Sequence, residues 1–228
     1  MPTPSRKAVK SRSSRPGQTR SYHAHRERQR RRILGAAQEL FDSRGIDRVT
    51  LADIVKTTGV RPTTIYEYFA NKDEIVWALV EEHQQQTSQE FRERLRKVDG
   101  DTLAKISAML ECFADELRDH PDRVRFQAQF DAMYAQDGSV KRLLAIEDKL
   151  FPSRLKHFAD LIREGIADGS LRSDLNPKLT IHSVLNSVIG AQRRLASLSG
   201  RIEKEYGQPT SLLFREAIRI ILLGLRRN

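Results

Sequence analysis

The chain holds a single cysteine, Cys112, in 228 residues. That excludes an intrachain disulfide and a thiolate zinc cluster, and it fits a reducing compartment. No stretch approaches the ~18 consecutive apolar residues of a membrane span, and no apolar signal core is present. The protein is therefore expected to be soluble and cytoplasmic, without a membrane partner. The six histidines, His23, His25, His83, His120, His157 and His182, are scattered. None is paired at i and i+4 or placed beside the cysteine, which argues against a metal site. The serines lack a Gly-x-Ser-x-Gly context, and neither a phosphate-cradling loop nor a dinucleotide-binding glycine fingerprint occurs. With no convergent acid, base or nucleophile, an enzyme is not expected and no cofactor is implied. Strand-like alternation and internal repeats are missing too, which leaves helical patterns throughout.

Acidic residues are nearly absent from one region. Eleven of the 40 Lys and Arg fall in residues 1–32, but only one of the 30 Asp and Glu, which leaves 29 of each sign in 33–228. The body is thus neutral, and the net charge of +10 sits on an N-terminal arm. Phosphate neutralisation and counterion release give such an arm a salt-sensitive affinity for nucleic acid. The alternative is a solvated tail that only aids solubility; the arm's direct run into the first helical pattern favours DNA contact. Met1 to Ala24 has almost no apolar residues beyond Val9 and Tyr22. That is too few for the amphipathic face of an organelle transit peptide or for a place in any core, so the segment reads as disordered.

What the chain does contain is most informative between Thr50 and Ile75, TLADIVKTTGVRPTTIYEYFANKDEI. Thr50 can cap a short helix, with Asp53 three positions on in a capping-box arrangement. Leu51, Ile54 and Val55 give that helix one apolar face. A turn at Gly59 follows, and Pro62 stands at a first helical position, where proline is tolerated. Ile65 and Phe69, at i and i+4, anchor the second helix inward and leave Thr63, Thr64, Glu67 and Tyr68 outward. This is a helix-turn-helix whose second helix offers hydroxylated and aromatic side chains, the pattern of a DNA reader. Arg61, at its entry, has a fork that matches the two acceptors of guanine in the major groove, and Thr63 can offer a hydroxyl or methyl to a base edge.

Arg32-Ile33-Leu34, Ala36-Ala37, Leu40-Phe41, Gly45, Thr50, Asp53-Ile54, Gly59-Val60, Ile65-Tyr66, Tyr68-Phe69 and Lys72 carry a more specific likeness. From about Arg28 to about Trp77 the chain resembles the DNA-binding domain of the tetracycline-repressor (TetR) family, with order and spacing intact. Two places depart from the pattern, Arg61 and Pro62-Thr63, and both lie where base contacts are expected, so they bear on which operator is read. The resemblance implies that Thr50, Thr64, Tyr66, Tyr68 and Lys72 hold phosphates and fix register. With Arg61, Pro62 and Thr63 they complete the expected DNA-binding set. Partial core packing is the other reading of Tyr66, and a helix cap is a compatible role for Thr50.

The first helix is expected from about His25 to Arg44, and a fourth, capped by Asn71 with Glu74 in the reciprocal position, to about Lys97. The body then reads as helices from Asp101 to before Pro121, from Pro121 to near Asp137-Gly138, and from Val140 to Asp168-Gly169. The last of these carries Pro152, so a kink or split is expected near Phe151. Pro177 opens a helix to Leu198, Gly200 to Pro209 reads as a loop, and Ser211 to Leu225 forms the last helix. In similar regulators the body helices surround a small-molecule cavity. By that resemblance Met109, Cys112, Phe113, Phe126, Gln127, Phe130, Met133, Tyr134, His157 and Phe158 are the candidate lining, suited to an apolar or amphipathic effector. Ordinary core packing is the alternative for each. The penultimate helix carries one apolar stripe and the last is nearly encircled by apolar residues, so a second copy of the chain is the simplest cover, with burial wholly within the monomer as the alternative. Ile181, Val184, Leu185, Val188, Gln192, Leu195, Phe214, Ile218, Ile221 and Leu225 are the expected dimer contacts.

The expectation is an all-α protein of about nine helices. It comprises a disordered basic arm (1–24), a three-helix helix-turn-helix DNA-binding domain (25–71) and a helical effector-binding and dimerisation domain (72–228). The function expected is a sequence-specific transcriptional regulator, a homodimer on a double-stranded DNA operator, acting as a repressor released by a small-molecule effector. A ligand-independent DNA-binding or scaffolding protein on the same fold is the alternative.

Overall fold

The computed structural model describes residues 16–134, 137–150 and 154–227, with side chains described for 23–134, 140–146, 148–150 and 158–227. Eleven helices follow one another among them: α1 (Pro16–Arg44), α2 (Leu51–Thr58), α3 (Pro62–Tyr66), α4 (Lys72–Leu95), α5 (Thr102–Asp119), α6 (Pro121–Tyr134), α7 (Asp137–Leu150), α8 (Arg154–Ala167), α9 (Pro177–Ser197), α10 (Ser199–Tyr206) and α11 (Thr210–Leu225). Apart from helices, one isolated bridge joins Leu171 to Arg226. The all-α reading holds, with eleven helices where about nine were expected.

The starts of the helices follow local chemistry. Side chains of Thr50, Asn71, Asp101 and Asn176 accept hydrogen bonds from backbone N–H groups that begin α2, α4, α5 and α9, which satisfies donors that no helix can pair internally. The reciprocal half of the expected box at Asn71 is absent. Glu74 instead binds Arg142 of α7 through both oxygens, at 2.7 and 2.8 Å, because a fork-to-fork ion pair outcompetes a single bond to a backbone N–H. Gly59 adopts φ +65° and closes α2 with an N–H to Val55 C=O bond of 3.0 Å. That left-handed geometry strains any residue with a Cβ.

Three boundaries differ from expectation. Helix α1 begins at Pro16, so residues 16–24 of the expected disordered arm are helical, and residues 1–15 lie outside the described ones. Proline fits a first helical position, and Gln, Arg and Glu propagate a helix well once it is seeded. The expected loop from Gly200 to Pro209 contains α10, anchored by Ile202, which is fully buried in the body. The helix expected from Val140 comprises α7 and α8, with Pro152 between them and outside the described residues.

Two hydrophobic clusters form. One joins Ile33, Phe41, Ile54 and Ile65 of the first three helices to Ile75, Trp77 and Val80 of α4, and to Phe126 and Phe130 of α6. The other packs α5 and α8 to α11, with Val124 of α6. The first cluster crosses the expected boundary at residue 71. Helix α6 enters both, and Gln129 on it accepts a hydrogen bond from the Ile46 N–H at 2.9 Å while Lys72 of α4 donates to the Ile46 carbonyl at 2.9 Å. The turn between α1 and α2 is therefore held from both sides.

Candidate nucleic-acid interface and effector cavity

Helix α3 is five residues long and exposes one face. Ile65 is fully buried and Phe69 nearly so, whereas Arg61, Pro62, Thr63 and Glu67 are exposed and Tyr66 is 61% exposed. The core-packing reading of Tyr66 therefore fails: its ring stands out beside Arg61 and Thr63, where a groove would meet it. Thr64 is half-buried, and so is Tyr68, whose ring lies under the Arg26 guanidinium at 5.5 Å. Tyr68 is thus less outward than its spacing suggested, because α1 covers it. Arg30 lies over Phe69 at 5.7 Å and also binds Glu82 of α4 at 2.5 Å.

Two of the expected phosphate contacts are engaged within the chain. The Thr50 hydroxyl accepts from the Asp53 N–H at 3.2 Å and donates to the Asp53 carboxylate at 2.6 Å. The hydroxyl and N–H of Thr50 hold the Asp53 carboxyl below its usual value. Lys72 is half-buried on the Ile46 carbonyl, which leaves two of its three ammonium protons for another acceptor. The inward and outward sides of α3 follow the spacing of Ile65 and Phe69, while Arg26 and Arg30, expected only as part of the basic arm, share by their i, i+4 spacing the side of α1 that meets the reader.

A cavity of about 610 Å³ opens between α4, α5, α6, α8 and α9. Phe91, Phe113, Phe158, Leu185 and Ile189 give it apolar walls; Gln84, Thr87, Glu116, Gln127, Gln192 and Arg193 supply polar groups. Gln192 donates to the Phe113 carbonyl at 2.8 Å and to Glu116 at 3.4 Å, and Thr87 donates to Glu116 at 3.3 Å. Burial raises the Glu116 carboxyl above its usual value, partly offset by Arg123, Gln192 and Thr87. Burial likewise pulls the Arg193 guanidinium down, against the charge of Glu116.

Of the ten side chains expected to line it, Phe113, Gln127 and Phe158 do so. Phe126, Phe130 and Tyr134 belong instead to the reader's cluster, where Phe130 and Tyr134 pack on Trp77. They recur every four residues, so one face of α6 carries all three, and that face meets α1 and α4. Met109 is buried in the body's core, Cys112 bonds back to the Ala108 carbonyl, and Met133 is 39% exposed. The side chain of His157 lies outside the described ones. The overlooked wall is a stripe on α4, Gln84, Thr87 and Phe91, at helical spacing but too polar to read as core.

The expected dimer contacts are likewise turned inward. Ile181, Val184, Val188, Leu195, Phe214, Ile218 and Leu225 are buried in the body's core, Ile221 packs against it, and Leu185 and Gln192 face the cavity. The outer face of the same two helices carries Leu179, Leu212, Ile220 and Leu223, 53–66% exposed, with Ser183, Ser187 and Gly190 between them. Among the described residues no group of three or more His, Cys, Asp or Glu could hold a metal.

Comparison with known proteins follows the same division. Residues 33–79 match the family model described as bacterial regulatory proteins, tetR family. The chain is 24% identical over 156 residues to the HTH-type transcriptional repressor KstR2 of Mycolicibacterium smegmatis, covering 64% of this chain and 69% of that one. The solved structure of the MbdR regulator from Azoarcus sp. CIB superposes with a TM-score of 0.64 at 25% identity, covering 86% of this chain and 98% of that one. The transcriptional regulator FadR from Bacillus subtilis, solved in complex with stearoyl-CoA, gives a TM-score of 0.64 at 17% identity, with 85% and 97% covered.

Proposed function

We propose that this chain, which belongs to the tetR family of bacterial regulatory proteins and is a DNA-binding transcriptional regulator, acts as a homodimeric repressor that a small amphipathic effector releases from its operator. The observation that carries the reading is the pairing of an exposed recognition face on α3 with an aromatic-walled cavity bounded by α4 and α6, the helices that hold the reader. A cavity of about 610 Å³ lies within the range of small-molecule sites and disfavours the ligand-independent alternative. KstR2 of M. smegmatis is named a repressor and FadR was solved with a long-chain acyl thioester, which supports both parts of the proposal. Residues 25–71 are the proposed DNA-binding unit and 72–228 the effector and dimer unit. No helix among the described residues is long and apolar enough to cross a membrane, and the bacterial cytoplasm, at the nucleoid when DNA is bound, is the proposed location.

In this reading Arg61, Pro62 and Thr63 meet base edges, while Thr50, Thr64, Tyr66, Tyr68 and Lys72 meet or position the phosphates. Selecting bound sequences from a random DNA pool tests the reading: a two-fold symmetric site with half-sites about one helical turn apart supports it, and unselected binding sinks it. Arg61→Ala is expected to relax preference at one base pair of the selected site, at about 1–3 kcal/mol. Lys72→Ala is expected to weaken selected and random DNA alike. Equal weakening by both variants on both DNAs would move Arg61 to the phosphate set.

Deletion of residues 1–24 removes six of the eleven basic residues at the N-terminus and, with them, the first turns of α1. Operator preference is expected to persist, because α3 is untouched. The slope of log affinity against log salt is expected to flatten by roughly 0.9 for each phosphate that the shortened protein no longer neutralises. An unchanged slope would make the arm a passenger.

The dimer is proposed on the exposed outer face of α9 and α11. Leu179, Leu212, Ile220 and Leu223 make an apolar patch that water disfavours, and the small residues between them let a second copy approach closely.

A further inference from the structure

Arg193 stands at the boundary between the cavity and α6. The residue lines the cavity, and its guanidinium pairs with the Asp131 carboxylate of α6. Its Nε is buried without a hydrogen-bond partner, and so is Oε1 of Gln84 on the α4 wall of the same cavity. Both atoms lie beneath the accessible surface, so a bound molecule meets them only when these side chains turn toward it. Rotation of the Gln84 amide exchanges its oxygen for the NH2 group, so this residue can also serve an oxygen of the ligand.

The charges decide which ligand fits. Glu116 is already supplied by Thr87 and Gln192, so a cationic head would find its one acid engaged and Arg193 beside it. Arg193 is the one Lys or Arg among the described lining residues, and the natural partner of its guanidinium fork is a carboxylate. Phe91, Phe113, Phe158 and Ile189 offer no polar group to the rest of the molecule and favour an apolar chain or ring.

We infer that the effector is an amphipathic organic acid whose carboxylate draws Arg193 away from Asp131, and that this ion pair is the latch holding α6 to α9. The inference rests on the effector reading above. Helix α6 is the element to move, because Gln129 holds the Ile46 N–H, Tyr134 donates to Asp73 at 2.6 Å, and Phe126 and Phe130 lie in the reader's core. Loss of the Asp131 pair removes one tie between α6 and α9, with Val124 still packed in the body's core, and a small shift of α6 is passed to the reader. The acid shifts the equilibrium only so far as it binds the unlatched state better than the latched one.

The test uses the full chain with decanoate, decanol and decylamine as matched probes, binding measured by calorimetry and operator release by anisotropy of labelled DNA. Decanoate is expected to bind at least tenfold more tightly than decanol or decylamine and to release the operator. Arg193→Gln is expected to remove that tenfold advantage while leaving decanol within twofold, and Arg193→Lys to restore part of it. Asp131→Asn is expected to weaken operator binding several-fold with no ligand present and to tighten decanoate, with helix content by circular dichroism unchanged. Equal binding of decanoate and decanol, full decanoate affinity in Arg193→Gln, or unaltered operator affinity in Asp131→Asn overturns the latch. Operator release by decanol that ignores Arg193 overturns the latch but keeps the effector reading. Decanoate bound at Arg193 without any change at the operator overturns both.

Discussion

Ile220→Glu is expected to turn the protein into a folded monomer that no longer holds its operator. Ile220 is 58% exposed on the outer face of α11 and outside the buried core, so a carboxylate there reaches water in a single chain. In a dimer joined through this face the same carboxylate is buried without a partner, which costs several kcal/mol. Each reader alone then grips one half-site, and loss of the linked second site lowers affinity on the order of 10²–10³-fold. Ile218→Glu is the instructive contrast. Ile218 is 1% exposed and packs in the body's core with Phe214 and Leu225, so that variant is expected to unfold the body. Light scattering, circular dichroism and an operator shift assay separate the two outcomes. A persisting dimer in both Ile220→Glu and Leu223→Glu moves the interface to another face.

The second large effect is a loss of stability in mild acid that traces to one side chain. His83 of α4 is buried edge-on to Phe126 of α6, ring centroids 5.3 Å apart, and its Nδ1 has no hydrogen-bond partner. Burial, then the charges of Arg123 and His120, lower its pKa to about 4 from an ordinary 6.5. The folded chain therefore resists a proton that the unfolded chain accepts. Stability is full above about pH 6.5 and falls as the unfolded state takes up that proton; the loss levels off below about pH 4. Between pH 7 and 5 this one group is expected to cost about 2 kcal/mol. His83→Gln removes the titration, so its denaturation midpoint is expected to change less than wild type across that window, at fixed protein concentration. Parallel curves for the two proteins would assign the acid sensitivity to the carboxylates.

The candidate site was legible where local chemistry settles structure. Arg61, Pro62, Thr63 and Tyr66 were readable as an outward face because Ile65 and Phe69, one turn apart, must be the inward one. The cavity was readable only in outline. Phe113, Gln127 and Phe158 were found, but Gln84, Thr87, Glu116 and Arg193 were not. A polar side chain on a helix reads as solvent-facing until a neighbouring helix encloses it, and no spacing rule announces the enclosure.

Local sequence was enough to dictate most of the helices, their caps, the glycine turn that sets α2 against α3, and the charge imbalance that favours DNA. Each follows from residues within a turn or two of one another, where hydrogen-bond geometry and backbone preference leave little choice. Which side of α9 and α11 is core and which remains open was settled by long-range packing. Both helices carry apolar residues on opposite faces: Ile181 and Ile218 on one, Leu179 and Ile220 on the other. Helical period says which residues share a face, but the element that covers a face comes from distant parts of the chain. Here α5, α8 and the cavity take the inner side, and the proposed partner is left the outer one.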